Sequence, residues 1–204
     1  MKGDWFNVFK KEGKLYLNED VYNKAYSSFM EDLPVYLKHV KEGDKVLECC
    51  CGPGYTAVPM SHHFNVTGFD RDKKVLNAAR ENARKFGKNI SLKEADFFDI
   101  VEVFGKDSFH ACSSGGVLEH FAPDKIKKLM DLQLQIAPIV FASMPLFTDQ
   151  DVETRNTLGI ETFKYDEKNW TDDLLKEYNI LGSRVLDSKP IIGKFREYMV
   201  VIGR

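Results

Sequence analysis

The 204-residue sequence lacks any apolar run that approaches the roughly 18–20 residues of a membrane-spanning helix. Its charged N-terminus has no apolar core of the kind found in secretory signal peptides. The formal net charge at pH 7 is only −2, so no global basic field would attract nucleic acid. These absences predict a cytoplasmic protein with no membrane partner.

Cysteine is scarce, and its arrangement excludes the common metal clips. Three of the four cysteines are the consecutive Cys49, Cys50 and Cys51, and the fourth is Cys112. They form no C-x-x-C pair and no H-x-x-x-H pattern accompanies them, so we expect no metal site. We expect the thiols to pack as small apolar groups near a tight turn, in a reducing compartment.

The remaining composition is that of an ordinary globular domain. Hydrophobic residues make up 43% of the chain and charged residues 29%. The length suits one α/β domain with a substantial core, and the sequence has no internal repeat or low-complexity segment. We therefore predict a single domain over residues 1–204.

The chain is organised around Lys45–Asp70, a stretch that predicts a strand, a glycine turn, a short helix and a second strand. Gly52-Pro53-Gly54 supplies the turn, because glycine permits backbone angles and close approaches that a Cβ would block. In a right-handed βαβ unit, Asp70 at the end of the second strand lies beside that turn. Backbone N–H groups at a helix N-terminus then lie near a carboxylate that can hold two ribose hydroxyls. The unit predicts a nucleoside-containing cofactor.

Two classes of cofactor fit this unit. Gly52-x-Gly54-x-x-Ala57 matches the dinucleotide fingerprint and favours a nicotinamide cofactor. Glu48 lies four residues before Gly52, where a carboxylate suits an ammonium group better than a pyrophosphate. The segment resembles motif I of the class I S-adenosylmethionine-dependent methyltransferases, typically V-L-D-L-G-C-G-x-G. In that comparison Glu48 matches the family acid, and Cys50 falls where the family normally has its first glycine.

The resemblance implies S-adenosyl-L-methionine as the cofactor and assigns residues to it. In the family, an acid after the third strand meets the adenine amino group and the next residue lies on the ring. Asp96 and Phe97 match those positions, although Asp96 could instead merely cap a turn. The cofactor-binding residues implied are Glu48, Cys50, Gly52, Gly54, Asp70, Arg71, Asp96, Phe97 and Ser114.

The resemblance also implies a fold: a seven-stranded, mostly parallel sheet with helices on both faces, the Rossmann-like methyltransferase fold. The hydrophobic pattern predicts five successive strands that end near residues 49, 69, 93, 114 and 143. Segments 184–187 and 197–202 would form the antiparallel hairpin that closes this family's sheet.

Residues 1–43 precede the first strand and form an N-terminal helical segment outside the core at 44–204. One helix is predicted from Asn18 or Asp20 to about residue 30. Pro34 is predicted to open a second helix that ends near Gly43.

In small-molecule methyltransferases such N-terminal helices often cover the cofactor and shape the acceptor pocket, so the resemblance predicts a lid. We expect the acceptor to bind between the helix around Tyr22 and Tyr26 and the long connection Met144–Asn169. The alternative is that the N-terminal aromatic side chains simply pack on the sheet.

Ser113–Phe121, with the sequence SSGGVLEHF, resembles the S-x-G-V-L-E-H stretch that follows the fourth strand in many small-molecule members of the family. Glu119 and His120 would lie at the sheet edge where α/β proteins place reacting groups, which makes them candidate catalytic residues. A purely structural Glu-His pair is the alternative. The absence of a [DNS]-P-P-[YF] tetrapeptide argues against methylation of DNA bases.

Taken together, the resemblance implies S-adenosylmethionine-dependent methyl transfer to a small-molecule acceptor. Methyl transfer from a sulfonium is an in-line substitution, so positioning and exclusion of water supply much of the rate. Two alternatives remain open. One is a methyltransferase that acts on a protein or, against the near-neutral charge, on RNA. The other is a non-methyltransferase of the same fold, either a nicotinamide oxidoreductase or a nonenzymatic binding module.

Overall fold

Strands and helices alternate along residues 4–147, 162–187 and 196–204, the part of the chain that the computed structural model describes. The strands are β1 (Lys45–Cys49), β2 (Asn65–Asp70), β3 (Ser91–Glu94), β4 (Ala111–Gly115), β5 (Ile139–Leu146), β6 (Asn179–Asp187) and β7 (Arg196–Gly203). They form one sheet in the order β3-β2-β1-β4-β5-β7-β6. The first five strands pair in parallel, and β7 runs antiparallel to both β5 and β6. The predicted seven-stranded, mostly parallel sheet is confirmed.

Helices cover both faces of this sheet. They are α1 (Trp5–Lys11), α2 (Glu19–Tyr36), α3 (Ala57–Met60), α4 (Lys73–Lys85), α5 (Ile100–Phe104) and α6 (Pro123–Ile136). Val46 of β1 joins a core with residues of α2, α3 and α4, whereas Leu47 joins a core with residues of α5 and α6. Neighbouring residues of a strand point to opposite faces, so β1 is buried on both sides. No helix in the described residues is long and apolar enough to cross a membrane.

The strand order creates a crevice at one edge of the sheet. β1 lies between β2 and β4, and the chain passes to opposite sides of β1 when it forms these two neighbours. In open α/β sheets, ligands bind outside the carboxyl ends of the strands at such a switch point. The end of β1, where Glu48 pairs with Gly68 and Ser113, therefore lies at the expected ligand site.

Pro34 lies inside α2 and does not open a second helix, so that prediction is wrong. The helix begins after Asn18, whose side-chain oxygen accepts a hydrogen bond from the Val21 N–H at 2.9 Å. Its buried stripe continues across the proline, from Leu33 to Tyr36. Packing of that stripe outweighs the single backbone hydrogen bond that proline removes near the end of the helix.

Residues 5–11 form a helix that the sequence analysis did not predict. Asp4 caps it by accepting a hydrogen bond from the Asn7 N–H at 3.1 Å, and Val8 is its buried residue. The signal was present as an N-cap residue followed by aromatic residues at i and i+4, Trp5 and Phe9. A helix this short depends on the rest of the protein for stability.

The fifth strand is longer than the prediction that ended it at Ser143. Met144, Pro145 and Leu146 continue the strand and pair with the antiparallel β7. Their partners lie about fifty residues later in the chain. Local sequence pattern does not show this pairing, and proline within the segment argues against a strand.

Asn82 joins the N-terminal segment to the glycine turn from inside the protein. Its side-chain oxygen accepts a hydrogen bond from the Leu17 N–H at 2.9 Å. Its amide group donates to the Leu15 carbonyl at 3.1 Å and to the Pro53 carbonyl at 2.9 Å. Asn82 is 1% exposed, so α4 offers a fully enclosed polar group to three backbone positions at once.

Asn82→Ala is expected to lower the free energy of unfolding by about 2–4 kcal/mol, because three buried backbone groups lose their partners. Urea denaturation measures this loss. The matched control is Asn77→Ala, an exposed position of the same helix, which should change stability by less than about 1 kcal/mol. Equal stability losses in the two variants would show that Asn82 does not hold the segments together.

Candidate functional site

A cavity of about 420 Å³ opens at the carboxyl ends of the central strands. The ends of β1, β2, β4 and β5 contribute to its floor, and β7 forms one side. The inner faces of α1 and α2 enclose it from the N-terminal side. The cavity therefore occupies the crevice that the strand order creates.

The floor near β1 is an unusually tight turn. Gly52 and Gly54 have positive φ angles of 53° and 90°. A Cβ on Gly54 would lie 2.9 Å from the Val58 side chain, and a Cβ on Gly52 would lie 3.3 Å from the Phe9 ring. Both positions thus require glycine for backbone angle and for space.

Cys50 also adopts a positive φ angle, 51°, which is unfavourable for a residue with a Cβ. This is the position at which the family normally has glycine, and the structure explains that preference. The Cys50 side chain lines the cavity and also contacts the core on the α5 and α6 face. Burial raises the pKa of the Cys50 thiol, as do the nearby Asp70 and Asp96 carboxylates.

Glu48 presents a buried carboxyl group to the same cavity. Its side chain is 3% exposed and is hydrogen-bonded to Ser113, while its Oε2 atom has no hydrogen-bond partner within the described residues. Burial raises the pKa of Glu48 to about 8. A buried acceptor without a partner is costly, and a cationic N–H donor from a ligand would satisfy it.

Asp70 holds the turn from the end of β2. Its Oδ2 atom accepts a hydrogen bond from the Gly52 N–H at 3.2 Å, and its Oδ1 atom accepts one from the Asp72 N–H at 3.0 Å. Burial raises the pKa of Asp70, although these hydrogen bonds act in the opposite direction. Each carboxylate oxygen keeps lone-pair capacity for a further donor such as a ribose hydroxyl.

Six of the nine predicted cofactor residues line the cavity, and three do not. Those that line it are Glu48, Cys50, Gly52, Asp70, Arg71 and Ser114. Ser114 is 2% exposed, and its hydroxyl has no hydrogen-bond partner within the described residues. Gly54 lies behind the turn against Val58 and Ala79 and gives the turn its shape.

Asp96 and Phe97 are placed differently from the expectation. Asp96 accepts a hydrogen bond from the Phe98 N–H at 3.0 Å and caps the 3₁₀ segment Phe97–Asp99, which confirms the turn-capping interpretation. Phe97 is buried in the core, edge-on to Phe69 with ring centroids 5.6 Å apart. Its side chain packs in the core and does not line the cavity, and a contact with the adenine ring stays a prediction. A contact of Asp96 with the adenine stays a prediction.

Glu119 and His120 lie together on the wall beyond β4. Both are buried, and the His120 Nε2 atom lies 3.8 Å from the Glu119 carboxylate. The Nδ1 atom of His120 is 3.2 Å from the Thr162 hydroxyl, and the Trp5 ring contacts the imidazole edge-on at 5.0 Å. The imidazole thus joins α1, the end of β4 and the segment that begins at residue 162.

The N-terminal residues at the cavity differ from those expected. Tyr22 and Tyr26 stack on the outer surface, Tyr22 against Phe86 at 3.8 Å, and neither lines the cavity. Trp5 and Phe9 of the unpredicted helix α1 line it instead. The two tyrosines continue the side of α2 that carries the buried stripe, towards Phe86 and His62, and their contact with the acceptor stays a prediction.

The long connection Met144–Asn169 can be assessed only in part. Residues 148–161 lie outside the described residues. The described part beyond them contacts the candidate catalytic pair, since the Phe163 N–H donates a hydrogen bond to the Glu119 carbonyl at 2.7 Å.

All four cysteines are free thiols. No group of three or more His, Cys, Asp or Glu side chains in the described residues is arranged to hold a metal ion.

The fold and the cavity together define an α/β domain with a candidate site for a nucleoside cofactor that carries a positive charge. Comparison with known proteins names the family. A family model described as "Methyltransferase domain" matches residues 46–135. Residues 46–135 are thus similar to this family, and solved S-adenosylmethionine-dependent methyltransferases share the fold.

Two curated relatives match the same half of the chain. A probable cobalt-precorrin-6B C(15)-methyltransferase (decarboxylating) of Saccharolobus solfataricus is 31% identical over 103 residues, which cover 48% of this chain and 49% of the relative. A 2-phytyl-1,4-naphtoquinone methyltransferase of Synechococcus elongatus is 32% identical over 104 residues, with 48% and 43% covered. The matched part of the chain thus spans about half the length of these relatives.

Solved structures match almost the entire fold. The magnesium protoporphyrin IX methyltransferase of Synechocystis with bound SAH has a TM-score of 0.71 at 15% identity, covering 97% of this chain and 94% of that chain. An S-adenosylmethionine-dependent methyltransferase of Clostridium acetobutylicum has a TM-score of 0.66 at 16% identity, with 98% of each chain covered. At such low identity the likeness establishes the fold.

Cys50→Gly is expected to keep or improve binding of S-adenosylhomocysteine and to leave stability within about 1 kcal/mol, because relief at a positive φ angle offsets added backbone freedom. Cys50→Leu is expected to abolish binding, since a larger side chain fills the cavity. Calorimetry measures affinity, and thermal unfolding checks that both variants fold. Equal affinity of the parent and the folded Leu variant would refute a cavity-facing role.

The raised pKa of Glu48 predicts that cofactor binding releases a proton. In the free protein the Glu48 carboxyl holds its proton at pH 7, and a bound ammonium would lower its pKa. Affinity for S-adenosylhomocysteine should therefore rise between pH 6 and 8. Calorimetry in buffers of different ionisation enthalpy should detect the proton released.

Glu48→Gln is the control for this titration. It should remove the proton release and weaken binding. It should also stabilise the ligand-free protein at pH 8, because the folded pKa of Glu48 is raised above its ordinary value of 4.5. A raised pKa means that the parent loses stability as pH rises from that value to about 8. Unchanged proton release in the Gln variant would assign the proton to another group.

Proposed function

We propose that this protein transfers a methyl group from S-adenosylmethionine to a small-molecule acceptor by in-line substitution. The observation that carries the proposal is the buried Glu48 carboxyl, whose Oε2 atom has no partner in the described residues and which lies beside the glycine turn. The named relatives support the same reaction class, since they are methyltransferases of precorrin and of a naphthoquinone.

The residues at the cavity fit the cofactor part by part. Glu48 would hold the ammonium group of its methionine end, and Asp70 would hold ribose hydroxyls through its free lone pairs. The turn of Cys50 and Gly52 would let the backbone approach the cofactor closely. When bound, the cofactor supplies an electrophilic methyl group on a positively charged sulfur.

The other residues around the cavity would position the acceptor and exclude water. Trp5 and Phe9 cover the cavity with apolar rings from α1, and the walls continue through α2 and the end of β4. Exclusion of water favours methyl transfer, because it preserves the alignment of nucleophile, methyl carbon and sulfur. An N-terminal lid would therefore help to exclude water, and α1 is the segment that would form it.

His120 is the group best placed to handle a proton from the acceptor. Its imidazole lines the cavity, and its two nitrogens face the Glu119 carboxylate and the Thr162 hydroxyl. A neutral imidazole nitrogen accepts a proton, which is the role of a general base for an acceptor that arrives protonated.

The protein is expected to bind S-adenosylmethionine and S-adenosylhomocysteine and not to bind NAD. Incubation with a methyl-labelled cofactor and a fractionated cell extract should place label in small molecules. The matched control is Glu48→Gln, which should lose labelling in the same extract. Label in protein or RNA fractions would reassign the acceptor, while micromolar NAD affinity without S-adenosylhomocysteine binding would overturn the proposal.

A further inference from the structure

The part of the cavity away from the turn has its own chemistry. It is bounded by the inner face of α2 and by the ends of β5 and β7. Its apolar surface is aromatic: Tyr36 stacks on Phe141 with ring centroids 3.9 Å apart, and Phe29 meets Tyr36 edge-on at 5.6 Å. Tyr36 and Phe141 cover each other's faces, so these rings offer their edges to the apolar part of a ligand.

The hydroxyl of Tyr36 has a defined hydrogen-bond direction when the cofactor is bound. Its oxygen lies 3.0 Å from the Ser113 hydroxyl, and Ser113 is in turn hydrogen-bonded to Glu48. An ionised Glu48 only accepts, so Ser113 donates its single proton to Glu48 and must accept from Tyr36. Both hydroxyl protons are then committed, and Tyr36 offers only lone pairs to the cavity.

The charges around this surface are mainly negative. Asp32 and Glu197 both line the cavity, and together with Glu48 they raise the pKa of Tyr36, after burial as the largest cause. Two cations lie nearby. Arg184, which does not line the cavity, forms an ion pair with Asp32, and Arg196 lines the cavity but is exposed to solvent. Glu197 is half-buried, so its charge is screened less by salt and solvent than an exposed charge is.

Ser114 adds a buried hydroxyl that a ligand could satisfy with a hydrogen bond. It follows Ser113 on β4, is 2% exposed, lines the cavity and has no hydrogen-bond partner within the described residues. A buried hydroxyl is normally satisfied, so its free state indicates that a polar ligand group occupies this part of the cavity.

We propose that the acceptor is an amine, protonated in solution, whose apolar or aromatic body rests on Tyr36 and Phe141. The inference rests on the proposed methyl transfer. Tyr36 and Glu197 accept hydrogen bonds from its N–H groups, and the half-buried Glu197 carboxylate selects its positive charge. A carboxylate acceptor would meet negative charge and lone pairs on this wall.

The reaction balances for such an acceptor. The bound ammonium first loses one proton, with His120 as the proposed base. Its nitrogen lone pair then forms the bond to the methyl carbon, while the carbon–sulfur bond breaks and its electron pair stays on sulfur. The products are S-adenosylhomocysteine and an N-methylammonium, which retains the positive charge that the sulfonium loses.

Three probes of similar shape test the inference: 2-phenylethylamine, 2-phenylethanol and phenylacetate. Each is titrated by calorimetry into the protein saturated with S-adenosylhomocysteine. The amine is expected to bind at least about tenfold more tightly than phenylacetate, with the alcohol between them. Glu197→Gln should weaken the amine about five- to tenfold and leave S-adenosylhomocysteine affinity unchanged, as expected for loss of a half-buried charged hydrogen bond.

The matched control is Glu102→Gln, an exposed position on α5 that should change neither affinity. Phenylacetate binding as tightly as the amine, no binding of the amine, or an unaltered amine affinity in Glu197→Gln would each overturn the inference while the proposed methyl transfer stands. Failure of the parent to bind S-adenosylhomocysteine would instead overturn the proposed function and the inference with it.

Discussion

The turn that follows β1 is the constraint on which the site depends. Cys50, Gly52 and Gly54 all have positive φ angles within five residues, a conformation that an isolated chain rarely adopts. Two side chains hold it from outside: Asp70 accepts from the Gly52 N–H, and Asn82 donates to the Pro53 carbonyl. The neighbouring β2 and α4 thus stabilise a backbone shape that the turn itself disfavours.

The same constraint explains why the buried Glu48 can persist. Glu48 pairs with Gly68 and Ser113 of the adjacent strands, and it is only 3% exposed at the carboxyl end of β1. The folded protein therefore stores an unfavourable desolvation that a cationic ligand relieves. Sites of this kind trade stability for binding, which is a common pattern at functional positions.

The sequence predicted the sheet and the central site well, because both are encoded locally. The positions of the first four strands, the glycine turn and Asp70 at the end of β2 are all readable from a few adjacent residues. Features that depend on distant partners were missed. α1 is stabilised through its contacts at the cavity, and β5 is prolonged by pairing with β7. Phe97 also belongs to this group, since only the packing of Phe69 and Phe121 around it shows that its ring faces the core.

The fluorescence of the two tryptophans would report different events, because Trp170 lies in the core and Trp5 lies at the cavity. Trp170 is 0% exposed and lies in the core beside Tyr165, so its emission would follow unfolding of the sheet. Trp5 lies at the cavity edge with its ring against His120, an imidazole that quenches indole fluorescence when protonated. A single chain therefore carries two built-in optical reporters. Selective replacement of Trp170 by Phe would leave the Trp5 emission, which would report on the mouth of the cavity in the folded protein.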